Sequence, residues 1–210
     1  MGESDVAIVI PFYNHKRFQK LMMQNIMKQI YDRSKMTLYI LDDSEKENES
    51  LESTIENFKS ELVGMNVQYR KTNKTLDLDK KLDTITRGVL EDYVIFLMPD
   101  SIYQPEYVKT FVDFLNNSSK NVVGTLMLPV VFLNKSYNSS EFLVKELGKN
   151  AEKVYQYSIG FKKQYFDDVG YSGLTLDPQL IEIMRPDKLF LNIYHHPELK
   201  VKGWRKGDTR

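Results

Sequence analysis

Cysteine is absent from the 210-residue chain. That excludes disulfides, cysteine-ligated zinc and thiol nucleophiles, and it is compatible with a reducing compartment. No apolar run approaches the ~20 residues a membrane span needs. Strand-like sequence from Val6 onward predicts that there is no signal peptide. Net charge is missing as well: 29 Lys and Arg balance 29 Asp and Glu, so no basic footprint argues for nucleic acid. Glycine-rich phosphate loops are also lacking. No Gly-x-Gly-x-x-Gly follows a strand-like run, which weighs against a dinucleotide dehydrogenase, and no Gly-Lys-Ser/Thr loop suggests a P-loop phosphotransferase. A diphosphate bound by such a chain must be neutralised by a metal and side chains instead. What is present, 41% hydrophobic and 28% charged residues, fits one soluble domain spanning residues 1–210.

The first half alternates regularly. Val6-Ala7-Ile8-Val9-Ile10 is a continuous apolar run, the pattern of a strand buried on both faces. Phe18, Leu21, Met22, Ile26, Met27 and Ile30 follow at helical spacing. Met36 to Leu41 reads as a second strand, and Leu51, Ile55, Phe58 and Leu62 as a second helix. Val67 to Tyr69 is a short third strand; Leu78, Leu82, Ile85 and Val89 form one face of a third helix. Asp92 to Leu97 is a fourth strand, followed by a helix carrying Tyr107, Val108, Phe111 and Leu115. This βαβαβαβα order through residue 117 predicts a parallel sheet with helices on both sides. Beyond it, Val122 to Leu133 reads as one longer strand, and residues 134–152 as a polar loop with a short helix. Two short helices are expected around Gly170-Tyr171-Ser172-Gly173 within Gly160 to Met184, then a last strand over Leu189 to Tyr194.

Chemistry collects where strands stop. The first strand ends in Tyr13 and Asn14, the second in Asp42 and Asp43, the fourth in Met98-Pro99-Asp100-Ser101. In open α/β sheets, ligands bind beyond the carboxyl ends of the strands. An aromatic ring there can stack on a base, a carboxylate can accept the imide N–H of uracil, and a second carboxylate, Asp100, can hold a hard cation that screens phosphates. Pro-Asp-Ser is also ordinary turn chemistry.

Ile8-Val9-Ile10-Pro11-Phe12-Tyr13-Asn14, Ile40-Leu41-Asp42-Asp43-Ser44 and Phe96-Leu97-Met98-Pro99-Asp100-Ser101, in this order, resemble the three nucleotide-sugar motifs of GT-A fold glycosyltransferases. The closest pattern is that of the large family that makes bacterial polysaccharides and spore-coat sugars. The resemblance implies an α/β, GT-A (nucleotide-diphospho-sugar transferase) fold with a mainly parallel central sheet flanked by helices. Residues 1–117 would be its nucleotide-binding half, and residues 118–210 its acceptor half and C-terminal segment. It implies metal-dependent transfer of a glucose- or rhamnose-like hexose or deoxyhexose from a UDP-sugar to a glycan or glycoprotein acceptor. Pro11, Tyr13 and Asn14 would meet the nucleotide, Asp43 the uracil, and Asp100 Mn²⁺ or Mg²⁺. The usual Asp-x-Asp would put its first carboxylate at Met98, and a thioether does not ligate a hard cation. Asp77-Leu78-Asp79 is a literal Asp-x-Asp; it reads as a helix N-terminus, with Asp79 also a candidate ligand or ribose contact.

The second half is more faintly similar to the acceptor half of the same fold, through Ile159 to Lys163, Tyr165 to Gly170 and Leu176 to Leu180. By that resemblance Asp177 is the catalytic base, or else a plain helix N-cap. In several GT-A groups a late histidine completes the metal site and a lysine or tryptophan closes over the diphosphate. Those roles fall here to His196 or His195, and to Lys200, Lys202 and Trp204. The Asn-, Lys- and Tyr-rich composition also resembles the amino-terminal glycosyltransferase domain of multidomain chlorella-virus proteins. That would make further domains of a longer polypeptide its partners and the cytoplasm, a host's if the chain is viral, its location. The alternatives are a non-catalytic nucleotide-sugar binding module, which Met98 favours, and a sugar nucleotidyltransferase.

Overall fold

The structure is a computed structural model that describes residues 4–14, 16–45, 50–99, 101, 103–126, 130–132, 142–144, 154–174 and 181–184. Strand β1 (Val6–Phe12) is buried along its whole length and sits inside the sheet. Helix α1 (Gln19–Met27) follows, then β2 (Met36–Asp42), the short α2 (Glu52–Asn57), β3 (Asn66–Lys71), α3 (Leu78–Arg87), β4 (Tyr93–Phe96) and α4 (Tyr107–Asn117). Later come β5 (Val122–Leu126), β6 (Val130–Phe132), β7 (Phe142–Val144), β8 (Val154–Lys162), α5 (Lys163–Gly173) and β9 (Ile181–Met184).

The main sheet has seven strands in the order β3-β2-β1-β4-β8-β5-β9. The first four are mutually parallel, β8 runs antiparallel to both its neighbours, and β9 is parallel to β5. Side chains alternate across β1, and this alternation divides the core. Val6, Ile8, Ile10 and Phe12 pack with Met22, Met23 and Ile26 of α1 and with Tyr107 and Phe111 of α4. Ala7 and Val9 face the other way, toward Leu82 and Ile85 of α3 and Phe166 of α5. Both faces are therefore covered, as the continuous apolar runs required.

The second half departs from expectation. The described residues of the stretch 122–133 make two strands, because β5 pairs within the main sheet whereas β6 pairs with β7 in a separate two-stranded sheet. The residues before 163 form β8, inserted between β4 and β5, and so take the start of the 160–184 stretch in which two short helices were expected. Helix follows in α5, whose regular turn breaks at Gly170 (φ 68°, ψ 178°), so the two expected helices share one kinked element. Ile181–Met184, at the end of the same stretch, is a strand. The expected strand over 189–194 lies outside the described residues.

Candidate active site at the strand ends

The strand order reverses at β1, which has β2 on one side and β4 on the other. The crevice beyond β1 and β4 is thus the topological switch point, where open α/β sheets bind ligands. Pro11 limits the pairing there. Val9 turns its carbonyl toward β4, accepting the Leu97 N–H at 3.0 Å, and Phe12 turns its carbonyl toward β2, accepting the Asp43 N–H at 3.2 Å. By alternation Pro11 faces β4, where it has no N–H to offer. The β1–β4 pairing ends at Val9–Phe96.

The turns after β1 and β2 are locked together. Asn14 adopts a left-handed backbone (φ 49°), which asparagine tolerates better than most residues. Its N–H donates to Ser44 Oγ at 2.9 Å. The Tyr13 hydroxyl donates to Glu45 Oε1 at 3.1 Å.

The paired aspartates divide their work. Asp42 is fully enclosed and accepts the Ser44 and Leu51 N–H groups, each at 2.9 Å, and the Tyr69 hydroxyl at 2.8 Å. Burial alone pushes its carboxyl up, but these bonds outweigh burial and hold it below its ordinary value. Asp42 therefore organises the loop rather than meeting a ligand. Asp43 points to the opposite face, where it accepts the Leu76 N–H at 2.8 Å and pairs with Lys81. Lys81 also donates to the Phe12 carbonyl at 3.3 Å, and its Nζ lies 5.4 Å from the centroid of the Tyr13 ring. Burial pushes the Lys81 ammonium below its ordinary pKa, against the opposing pull of Asp43.

Asp79 stands in the first turn of α3, one residue past Leu78, and Asp77 is the N-cap. The Tyr171 hydroxyl of α5 donates to Asp79 Oδ1 at 3.1 Å, so this carboxylate bridges two helices. Met98 is buried. No three carboxylate or imidazole groups converge among the described residues. Asp100, Asp177, His195, His196, Lys200, Lys202 and Trp204 lie outside the described residues.

Sequence reasoning missed Lys81, Asn25 and Gln29. Each carried one signal: a polar residue on an otherwise apolar helical stripe. Lys81 falls between Leu78 and Ile85, and Asn25 between Met22 and the following turn. Asn25 and Gln29 fasten the segment after β4, as described below.

Residues 7–172 match the family described as glycosyl transferase family 2. The chain belongs to this family, and its fold is of the GT-A type. No curated protein matches the chain by sequence. Among solved structures, TarS residues 1–349 from S. aureus in complex with UDP-GlcNAc superposes with a TM-score of 0.68 at 13% identity, over 92% of this chain and 59% of that one. Mannosyltransferase PcManGT from Pyrobaculum calidifontis, in complex with GDP-Man and Mn²⁺, gives 0.69 at 14% identity, over 95% of this chain and 59% of that one. The chain thus spans about three-fifths of the length of either structure. No helix among the described residues is long and apolar enough to cross a membrane.

Proposed function

We propose that the chain transfers a hexose or deoxyhexose from a UDP-sugar to a glycan acceptor. The observation that carries this reading is the cluster of Tyr13, Asp43 and Lys81 beside the switch-point crevice, in a chain of a glycosyltransferase family. A carboxylate has about four lone-pair sites, and Lys81 and the Leu76 N–H engage two contacts on Asp43. The Asp43 side chain is closed to solvent, so the imide N–H of uracil reaches a remaining one only as the surrounding turn opens, with the Tyr13 ring as the stacking surface. Asp100, with His196 or His195, is the proposed holder of Mn²⁺ or Mg²⁺, which when bound screens the diphosphate. Lys200, Lys202 and Trp204 are the proposed cover over it. In an inverting transfer Asp177 takes the acceptor hydroxyl proton, that oxygen bonds to the anomeric carbon, and the bond from carbon to the UDP oxygen breaks.

The test is calorimetry with UDP, GDP and CMP in the presence of Mn²⁺, followed by incubation with UDP-sugars and glycan acceptors. UDP binds, GDP and CMP bind much more weakly, and UDP is released as the acceptor gains a sugar. Equal affinity for all three nucleotides overturns the uracil assignment. Met98, in place of a carboxylate, favours one second reading, a non-catalytic nucleotide-sugar binding module; UDP binding without any turnover would establish it.

A further inference from the structure

The switch-point crevice has two walls, the turn leaving β1 toward α1 and the turn leaving β4. Asn25, in the second half of α1, ties that helix to the segment after β4. Its Nδ2 donates to the Ser101 carbonyl at 2.6 Å, and its Oδ1 accepts the Tyr103 N–H at 3.3 Å. The β4 turn is also closed on itself: the Tyr103 hydroxyl accepts the Met98 N–H at 2.7 Å, and the Ser101 N–H donates to the Met98 carbonyl at 3.3 Å. Just past the end of α1, Gln29 Nε2 donates to the Gln104 carbonyl and its Oε1 accepts the Val108 N–H, both at 3.0 Å. Asn25, Ser101 and Tyr103 are all buried, at 4%, 3% and 3% exposure.

An apolar side chain on the inner stripe of α1 would serve packing as well as an amide does. The amide instead satisfies the Ser101 carbonyl and the Tyr103 N–H, so a shift of either residue away from it would strand buried polar groups. Binding is tighter when the site is organised before the ligand arrives, because no ordering cost is then incurred. We infer that Asn25 and Tyr103 are positioning residues for the nucleotide-sugar donor, holding the segment after β4 against α1 before the donor binds. This rests on the donor reading given above.

The experiment is calorimetry of UDP with Mn²⁺ on the full chain, at a temperature where circular dichroism shows every variant folded. Asn25→Asp keeps the shape and the acceptor for Tyr103 but loses the donor to Ser101. Tyr103→Phe removes only the hydroxyl that accepts the Met98 N–H. Leu62→Ala, in the turn before β3, serves as a destabilised control away from the crevice. Asn25→Asp raises the Kd about tenfold and Tyr103→Phe raises it severalfold, and both speed amide exchange at Ser101 and Tyr103. Leu62→Ala lowers Tm and leaves the Kd unchanged. If Asn25→Asp does not fold, Tyr103→Phe decides the question by itself. An undiminished UDP affinity in the folded variants, with normal binding by the unaltered chain, overturns the positioning role alone. Absence of UDP binding by the unaltered chain overturns the donor reading, and the inference with it.

Discussion

Lys81 and Asp43 form an ion pair closed to solvent, with side chains 3% and 0% exposed. One member comes from the end of β2 and the other from the second turn of α3, so the pair fastens that helix to the strand end. Breaking a buried pair leaves an uncompensated charge, which costs roughly 3–5 kcal/mol. Lys81→Met is expected to lower stability by about that amount, with Asp43→Asn restoring part of the loss in the double variant. Urea unfolding measures both. A Lys81→Met loss below about 1 kcal/mol would show that Asp43 is satisfied without its partner.

Asp42 makes stability depend on acid. Its folded-state carboxyl lies below the ordinary value of 3.8 because Ser44, Leu51 and Tyr69 stabilise the charged form more than burial penalises it. A depressed carboxyl contributes stability that is complete above the unfolded value and is lost as pH falls through the folded one. The unaltered chain is expected to lose stability steeply below about pH 4. Asp42→Asn should be less stable at neutral pH and show a flatter acid limb. Identical limbs in pH-resolved urea titrations would contradict this assignment.

Gly160 on β8 has no room for a side chain. A Cβ built there would lie 2.5 Å from Cδ1 of Phe111 on α4. Gly160→Ala is expected to cost about 1–3 kcal/mol through overpacking, and Phe111→Leu in the same chain to recover part of it. Thermal unfolding of the two variants checks the pair; an alanine tolerated without loss would mean that Phe111 has another rotamer available.

For the proposed cation, Asp100→Ala is expected to abolish the Mn²⁺ dependence of UDP binding. The variant should remain folded. Calorimetry with and without Mn²⁺ reads the first effect and circular dichroism the second. Retained Mn²⁺ dependence would return Pro99-Asp100-Ser101 to a plain turn.

The βα alternation of the first half was legible in the sequence because its central strands are buried on both faces and end abruptly in polar residues. A continuous apolar run followed by Tyr13-Asn14 or Asp42-Asp43 needs no partner to be recognised, and the parallel βα order follows from the alternation itself. The place of β8 did not follow, since a strand that pairs antiparallel between β4 and β5 is chosen by contacts far away along the chain. The local pattern about Gly160 to Phe166 carried no record of them.

The division of labour between Asp42 and Asp43 was hidden for a related reason. Adjacent residues at a strand end point to opposite faces, and which helix or loop waits on each face is decided only when the sheet is covered. Tyr69 and the Leu51 N–H stood on one side, Lys81 on the other. Lys81 and Asn25 interrupt apolar stripes in the sequence. Only the assembled fold shows what they hold, because a buried polar group is defined by a partner that sequence spacing cannot supply: 38 residues separate Lys81 from Asp43, and 76 separate Asn25 from Ser101.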